Sequence, residues 1–368
     1  MAESLKKTTI GQGYEILTNT NTKAKINKDK VSASMYDTVS VVMTFYNAEK
    51  FLTQAMSSVL NQALSGEGMD AIMIDYVLVD DCSTDKSPEI AKSFIEQYKK
   101  QVEKDGRQPI SINYITAPKN LGCGGARKLG IENAVGDYIM FLDADDYYIN
   151  MDFVTRAHFI IAKENADIVE FGVRMNTEGQ QPVNSVVQQP MKIRNENDVA
   201  EIAMFNDNLI KFNVWSKIYK KSIVDSREYS DARTFEDVRT VPYWLREAKE
   251  ILIMNTVEVN YRASSGSIIR DNIIDTRMGT ITAIAGLFPD FKDNIQVLKA
   301  MYTRAMVDIT ALCDGHSEEN DGFTGMSKLN TEMLRYIYPN DWARLTFNPD
   351  IPEFYEEQKK YIEENVKN

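Results

Sequence analysis

Histidine and cysteine are scarce in this 368-residue chain, and their scarcity closes off several chemistries. Two histidines, His158 and His316, are too few for a histidine-built metal centre, and His158 falls in an apolar helical pattern that suits packing. The three cysteines, Cys82, Cys123 and Cys313, are odd in number and lack CxxC spacing. That argues against structural zinc or a disulfide framework and for a reducing compartment. Positive charge is the minority: 42 Lys and Arg stand against 54 Asp and Glu, a net charge of −12. Without a basic footprint, nucleic acid is excluded as a partner, while a small anionic substrate stays open if metal or local basic groups handle it. No apolar run is long enough to span a bilayer. Residues 1–37, rich in Lys, Thr and Asn, lack the apolar centre of a signal peptide and read as a polar leader. The chain is therefore expected to be cytoplasmic, with peripheral contact at the inner membrane face left open.

What the sequence does hold is apolar content of 43%, ample for a core in one domain with an appendage or in two domains. Strands are predicted at 38–44, 71–80, 110–116, 137–142 and 166–173, alternating with helices at about 48–62, 85–104, 125–134 and 151–164. The strands are apolar on both faces, which predicts a parallel sheet covered by helices on both sides. Residues 176–196, rich in Gln, Asn and Pro, read as an irregular excursion. A short helix after 197, a helix ending near 248, a strand over 251–261 and helices at 277–287, 292–312 and 328–338 complete the reading. The expected organisation is a leader (1–37), a catalytic domain (38–270, with halves at 38–146 and 147–270) and a helical C-terminal subdomain (271–368). The last is a candidate surface for a second copy or another partner.

Open parallel sheets bind ligands beyond the carboxyl ends of their strands. Four polar clusters fall there: Phe45 to Asn47, Asp80 to Asp85, Asn120 to Arg127, and Asp143 to Asp146. Gly136-Asp-Tyr-Ile-Met-Phe-Leu-Asp-Ala-Asp-Asp146 ends an apolar strand in three carboxylates. Residues two apart in an extended segment point the same way, so Asp143 and Asp145 can face one ligand. Like charges held that close raise each other's pKa unless a cation lies between them, and a divalent metal carrying a phosphorylated substrate is such a cation. A solvated acidic turn is the plain alternative for each cluster alone, but it explains their shared placement less well.

Asn120-Leu-Gly-Cys-Gly-Gly-Ala-Arg127 is a glycine-rich turn that lets backbone approach a ligand. It follows the third strand and lacks GKS or GKT, so it is neither a dinucleotide fingerprint nor a P-loop. Arg127 near a helix start opposes the helix dipole, a placement that a diphosphate or a neighbouring Asp would repay. Asp81 can accept from a base or a ribose hydroxyl, and either Asp80 or Asp81 can cap the following turn. Asp237 reads either as a helix N-cap or as a general base. Trp215 and Tyr261 are core aromatics by default, though such rings also suit a sugar site.

Val39-Ser-Val-Val-Met-Thr-Phe-Tyr-Asn47, Val77-Leu-Val-Asp-Asp-Cys-Ser-Thr-Asp85, the Asn120 to Arg127 turn and the Gly136 to Asp146 segment resemble, in order, the motifs of family 2 glycosyltransferases. The resemblance covers 38–175; Phe212 to Lys221, Phe235-Glu-Asp237 and Tyr261 to Ser267 extend it less specifically, and nothing beyond about 275 is matched. It implies a GT-A fold, a mostly parallel α/β sheet with helices on both faces, and inverting transfer from a nucleotide-diphospho-sugar, a UDP-sugar favoured, to a glycan or lipid-linked glycan. It further implies that Thr44, Phe45 and Asn47 line the nucleotide pocket, with Asp81 at uracil or ribose and Arg127 near base or diphosphate. Asp143 and Asp145 would hold Mn²⁺ or Mg²⁺, Asp145 the more directly and Asp143 toward ribose as well. Asp237 would be the base with Glu236 its possible substitute, and Lys217, Arg262 and Ser267 weaker donor or acceptor contacts. The sequence departs from the family in Lys128, where many members have Asn, and in the long N-terminus. A sugar-phosphate nucleotidyltransferase, a glycoside hydrolase and a non-catalytic carbohydrate-binding scaffold are the rival readings. The first should carry a Lys- or Arg-containing glycine loop after the first strand, the second has no use for Asp81 and Arg127, and the third predicts no metal-dependent nucleotide binding.

Overall fold

The computed structural model describes residues 6–10, 14–18, 37–62, 72–106, 110–196, 198–205, 209–263 and 273–291, with scattered positions as far as 304. Its described elements run β1 (Lys6–Ile10), β2 (Tyr14–Thr18), β3 (Asp37–Phe45), α1 (Leu52–Leu60), β4 (Ile72–Asp80), α2 (Ser87–Asp105), β5 (Ser111–Thr116), α3 (Gly122–Glu132), β6 (Tyr138–Asp143) and β7 (Tyr147–Tyr148). They continue with α4 (Phe153–Lys163), β8 (Ile168–Thr177), β9 (Val183–Ser185), β10 (Met191–Arg194), α5 (Val199–Phe205), β11 (Lys217–Lys220), α6 (Lys221–Val224), α7 (Glu236–Glu247), β12 (Glu250–Ala263) and α8 (Ile273–Phe291). Two compact units result: residues 1–200 with 210–265, and residues 201–209 with 266–368.

The first unit is built on one sheet in the order β1-β2-β10-β12-β8-β11-β6-β3-β4-β5, with β7 on β12 and β9 on β8. Strands β5, β4, β3 and β6 are parallel, as their two-sided apolar runs require. Alternation along β3 splits the core. Val39, Val41, Met43 and Phe45 join Leu52, Met56 and Val59 of α1 and Ala91 and Ile95 of α2 in one cluster. Val42, on the opposite face, meets α3, where a Cβ on Gly130 would lie 2.4 Å from Val42 Cγ1. Further along that face Phe141 stacks on Trp244 of α7 at 6.3 Å and meets Tyr219 edge-on at 6.1 Å.

Beyond β6 the sheet is mixed. β11 inserts antiparallel between β6 and β8, whereas β8 and β12 are parallel to each other. The expected irregular excursion at 176–196 contains β9 and β10. The expected leader contributes β1 and β2, and β2 pairs with β10 through Met191↔Ile16. These pieces are short, from 3 to 5 residues, and β10 and β1 carry lysines, so no apolar alternation announces them. In the second unit, α8 contains the helix expected at 277–287, and Ala283, Ile284 and Leu287 on it are buried. The helix expected at 328–338 and Ser267 lie outside the described residues.

Candidate active site

Parallel strands deliver β3, β4 and β6 side by side, so the loops after Phe45, Asp80 and Asp143 share one rim. Asn47 ties the first loop to the second: its Oδ1 accepts from Thr84 N at 2.8 Å and Asp85 N at 3.3 Å, and its own N donates to Ser83 Oγ at 3.1 Å. Asn47 and Cys82 both hold left-handed backbone, φ 50° and 63°. Thr44 is half-buried at the end of β3. Phe45, expected to line the nucleotide pocket, is 3% exposed and packs beside Tyr114 at 6.4 Å, so it supports the rim from beneath.

The carboxylates at the end of β4 accept hydrogen bonds from within the protein. Asp80 accepts from Ser83 N at 2.9 Å and Tyr114 Oη at 3.2 Å. Asp81 accepts from Leu121 N at 2.6 Å and Gly122 N at 2.9 Å, holding the start of α3. Each Asp81 oxygen keeps further acceptor capacity, because a carboxylate offers about four lone-pair sites.

The turn after β6 differs. Asp143 and Asp145 are half-buried and Asp146 is buried. Burial, reinforced by Asp143, pushes the Asp145 carboxyl up to about 6. Asp146 is pushed well above the carboxylate range by burial and by Asp145 and Asp143; its Oδ1 accepts from Arg262 N at 2.8 Å, while its Oδ2 has no partner. Asp146 thus fixes β12 against the turn, a role the sequence did not separate from ligand contact.

Arg127, on the first turns of α3, is 5% exposed. It donates to Asp143 Oδ1 with one nitrogen and to Glu236 Oε1 with the other, and lies 3.4 Å from Tyr229 Oη. The expected diphosphate contact is thus occupied in this structure by two carboxylates, and the odd electrostatics of Arg127 find their compensation there. Glu236 is buried and charge-paired; Asp237 beside it is partly exposed. Burial, with the adjacent Glu236 charge, pushes the Asp237 carboxyl up to about 7, and its Oδ1 accepts from Val238 N at 2.7 Å. Phe235, just before α7, has left-handed backbone at φ 57°, a cost of about 1–3 kcal/mol kept where the surroundings over-determine it. Nothing in the sequence signals that left-handed backbone.

Lys217 requires correction. It was expected as a weaker donor or acceptor contact, but it is 0% exposed, and its Nζ donates to Lys211 O at 2.8 Å and Asn213 O at 2.6 Å and pairs with Glu170 at 3.2 Å. Its hydrogens are spent in the core. Arg262 fares differently: its guanidinium lies 4.6 Å from the Phe51 ring and 5.0 Å from the Tyr147 ring and donates to Gln54 Oε1. Its charge is among those that lower the Asp145 pKa, which makes it a rim cation the sequence underrated. Trp215 and Tyr261 stack at 5.2 Å with planes 2° apart. Among the described residues no group of three or more His, Cys, Asp or Glu is arranged to hold a metal alone, and no helix is long and apolar enough to cross a membrane.

Residues 40–218, just under half of the chain, match the family model "Glycosyl transferase family 2". An uncharacterized glycosyltransferase of Haemophilus influenzae is 35% identical over 133 residues, covering 34% of this chain and 46% of that protein. Glycosyltransferase GlyA of Streptococcus pneumoniae is 25% identical over 284 residues, covering 72% of this chain and 37% of that protein. The chain thus spans less than half the length of these two relatives. Residues 1–349 of Staphylococcus aureus TarS, solved with UDP-GlcNAc, superpose with a TM-score of 0.59 at 16% identity over 88% of both chains. At that identity the likeness is one of fold, and the fold is GT-A.

Proposed function

We propose that this family 2 glycosyl transferase moves a sugar from a nucleotide-diphospho-sugar, a UDP-sugar in preference, to a hydroxyl of a glycan or lipid-linked glycan, inverting the anomeric carbon. The observation that carries the reading is the Arg127 bridge, which couples Asp143 at the end of β6 to Glu236 and hence to Asp237 at the start of α7. One side of that bridge suits the donor and the other the acceptor. The choice of UDP draws support from TarS, similar in fold and solved with UDP-GlcNAc.

On the donor side, Thr44, Asn47 and Asp81 border the nucleoside, and Arg262 supplies a cation beside Asp145. The residues fit a divalent ion, Mn²⁺ or Mg²⁺, of the kind that takes one or two carboxylates and completes its shell with substrate phosphates and water. Asp145 would hold it with help from Asp143: its ionised form is poorly compensated in the protein alone, disfavoured by burial and by the Asp143 charge. Such an ion supplies charge stabilisation to the leaving diphosphate.

On the acceptor side, Asp237 takes the proton of the attacking hydroxyl. A carboxyl pushed up to about 7 is near the value at which a general base works best at neutral pH. Glu236, whose Oε1 is held by Arg127, is the less available of the two. Attack from the face opposite the diphosphate is a single displacement that forms no sugar–enzyme bond, so the shortage of nucleophilic Cys and His costs nothing.

A screen of UDP-, GDP- and dTDP-sugars with Mn²⁺, reading nucleotide release, tests the proposal. Slow release from a UDP-sugar, accelerated by added glycan acceptor, is expected. Absence of turnover with every donor would refute it.

A further inference from the structure

We propose that Gly124 is a positioning residue: by leaving room for residues 230–232 against the first turn of α3, it sets where Asp237 stands. This rests on the role given to Asp237 above. A Cβ built on Gly124 would lie 2.3 Å from Ala232 O and 2.4 Å from Ser230 O, distances real Cβ atoms essentially never show. Both contacts are backbone, so no side chain can swing aside. The approach is not needed by Gly124 itself, whose helical backbone any residue could adopt; it is needed by the chain that passes over it.

Neighbouring contacts point to the same docking. Gly122, at φ 77°, admits Arg233, whose Cγ would lie 3.0 Å from a Cβ there. Arg233 donates to Asn120 Oδ1 at 2.6 Å, Lys128 pairs with Glu228, and Arg127 reaches Glu236. The docked segment is then tied to α7: Ser230 N donates to Thr240 Oγ1 at 3.0 Å, and Thr240 Oγ1 donates to Glu236 O at 2.8 Å. The glycine-rich turn, which by sequence reads as a cradle for a ligand, is thus a cradle for the segment that presents Glu236 and Asp237. Gly124 acts through that segment and touches no reacting atom.

The test uses the full chain, UDP as binding probe, and UDP-GlcNAc hydrolysis with Mn²⁺ as turnover. Gly124→Ala is expected to lower kcat about 10- to 100-fold, because a displacement of about 1 Å can cost that much. Its UDP affinity should stay within about twofold, and amide hydrogens of 229–235 should exchange faster. Gly125→Ala, whose Cβ would lie 2.7 Å from Leu121 Cβ and away from residues 230–232, should leave the exchange of 229–235 as in wild type. Arg233→Ala, at an exposed position, should fold normally and lose about 3- to 10-fold in kcat by the same displacement argument. Wild-type kcat and exchange in Gly124→Ala would overturn the inference, as would a parallel loss of UDP affinity. If Gly124→Ala does not fold, wild-type kcat and exchange in Arg233→Ala overturn it. A wild-type chain that turns over no UDP-sugar would sink the proposed reaction, while the exchange comparison would still decide the docking.

Discussion

Two adjacent strand ends carry the same written signal and opposite physics. β4 finishes in Asp80 with Asp81 next to it, and β6 finishes in Asp143 with Asp145 and Asp146 close behind, with only β3 between the strands. After β4 every carboxylate accepts from protein groups: Ser83 N, Tyr114 Oη, Leu121 N and Gly122 N. After β6 only Asp143 is paired, with Arg127; Asp145 is pushed up to about 6, and Asp146 Oδ2 is buried without a partner. Satisfied acids build the rim; poorly satisfied ones wait on it for a cation or a proton. Asp237, pushed up to about 7, belongs with the second group, and Glu236, paired with Arg127, with the first.

Substitutions should separate the two groups, and the largest effect is expected at Asp237. Asp237→Asn should reduce transfer by about 10²- to 10⁴-fold, the usual worth of a general base, while UDP affinity stays within about twofold. Steady-state rates and a UDP titration check it; retained transfer would move the base to Glu236 and blur the division. Next comes Arg127→Ala, which strands Asp143 and Glu236. Breaking a buried charge pair costs about 3–5 kcal/mol, read as a lower unfolding midpoint in urea. If stability is untouched, the bridge is not formed in solution.

Asp80→Ala leaves the Ser83 amide unpaired, with an expected stability loss of about 1–3 kcal/mol and unchanged metal-dependent UDP affinity per folded molecule. A loss of affinity without loss of stability would place Asp80 with the unsatisfied group. A pH-dependent effect is expected of Asp145→Asn with Asp237→Asn. Both carboxyls have raised pKa values in the folded protein, about 6 and about 7 against 3.8, so between about pH 4 and 7 the folded chain binds more protons than the unfolded one. Their contribution to metal-free stability therefore falls as pH rises through that window. The double variant should melt above wild type at pH 8, and the gap should close toward pH 5; a gap constant with pH would contradict the raised values. Smallest is Cys82→Gly. Left-handed backbone at φ 63° costs a Cys about 1–2 kcal/mol, offset by glycine's chain entropy and by loss of the Sγ–H bond to Ala117 O at 3.0 Å. A net gain below about 1 kcal/mol is expected, read as a slightly higher thermal midpoint.

The same contrast shows what the sequence could and could not convey. β3, β4 and β6 were legible because buried parallel strands must be apolar on both faces, and their polar ends then mark the rim. Whether an acid at such an end is satisfied depends on partners far along the chain. Asp81 finds its amides 40 and 41 residues later, and Arg127 finds Glu236 109 residues later. Lys217 misled for that reason: its partner Glu170 sits opposite it across the β11–β8 pair, and only the register reveals it. β1, β2, β9 and β10 escaped notice because they are short strands without apolar alternation.

The division is tested most directly by calorimetric titration of UDP, with and without Mn²⁺, into wild type and the Asp143→Ala, Asp145→Ala double variant. Wild type is expected to bind UDP more tightly with Mn²⁺, by about tenfold or more, equivalent to about 1.4 kcal/mol. The double variant should show no such gain. Undiminished Mn²⁺-dependent binding by the double variant would contradict the assignment of the turn after β6 as the metal and donor site.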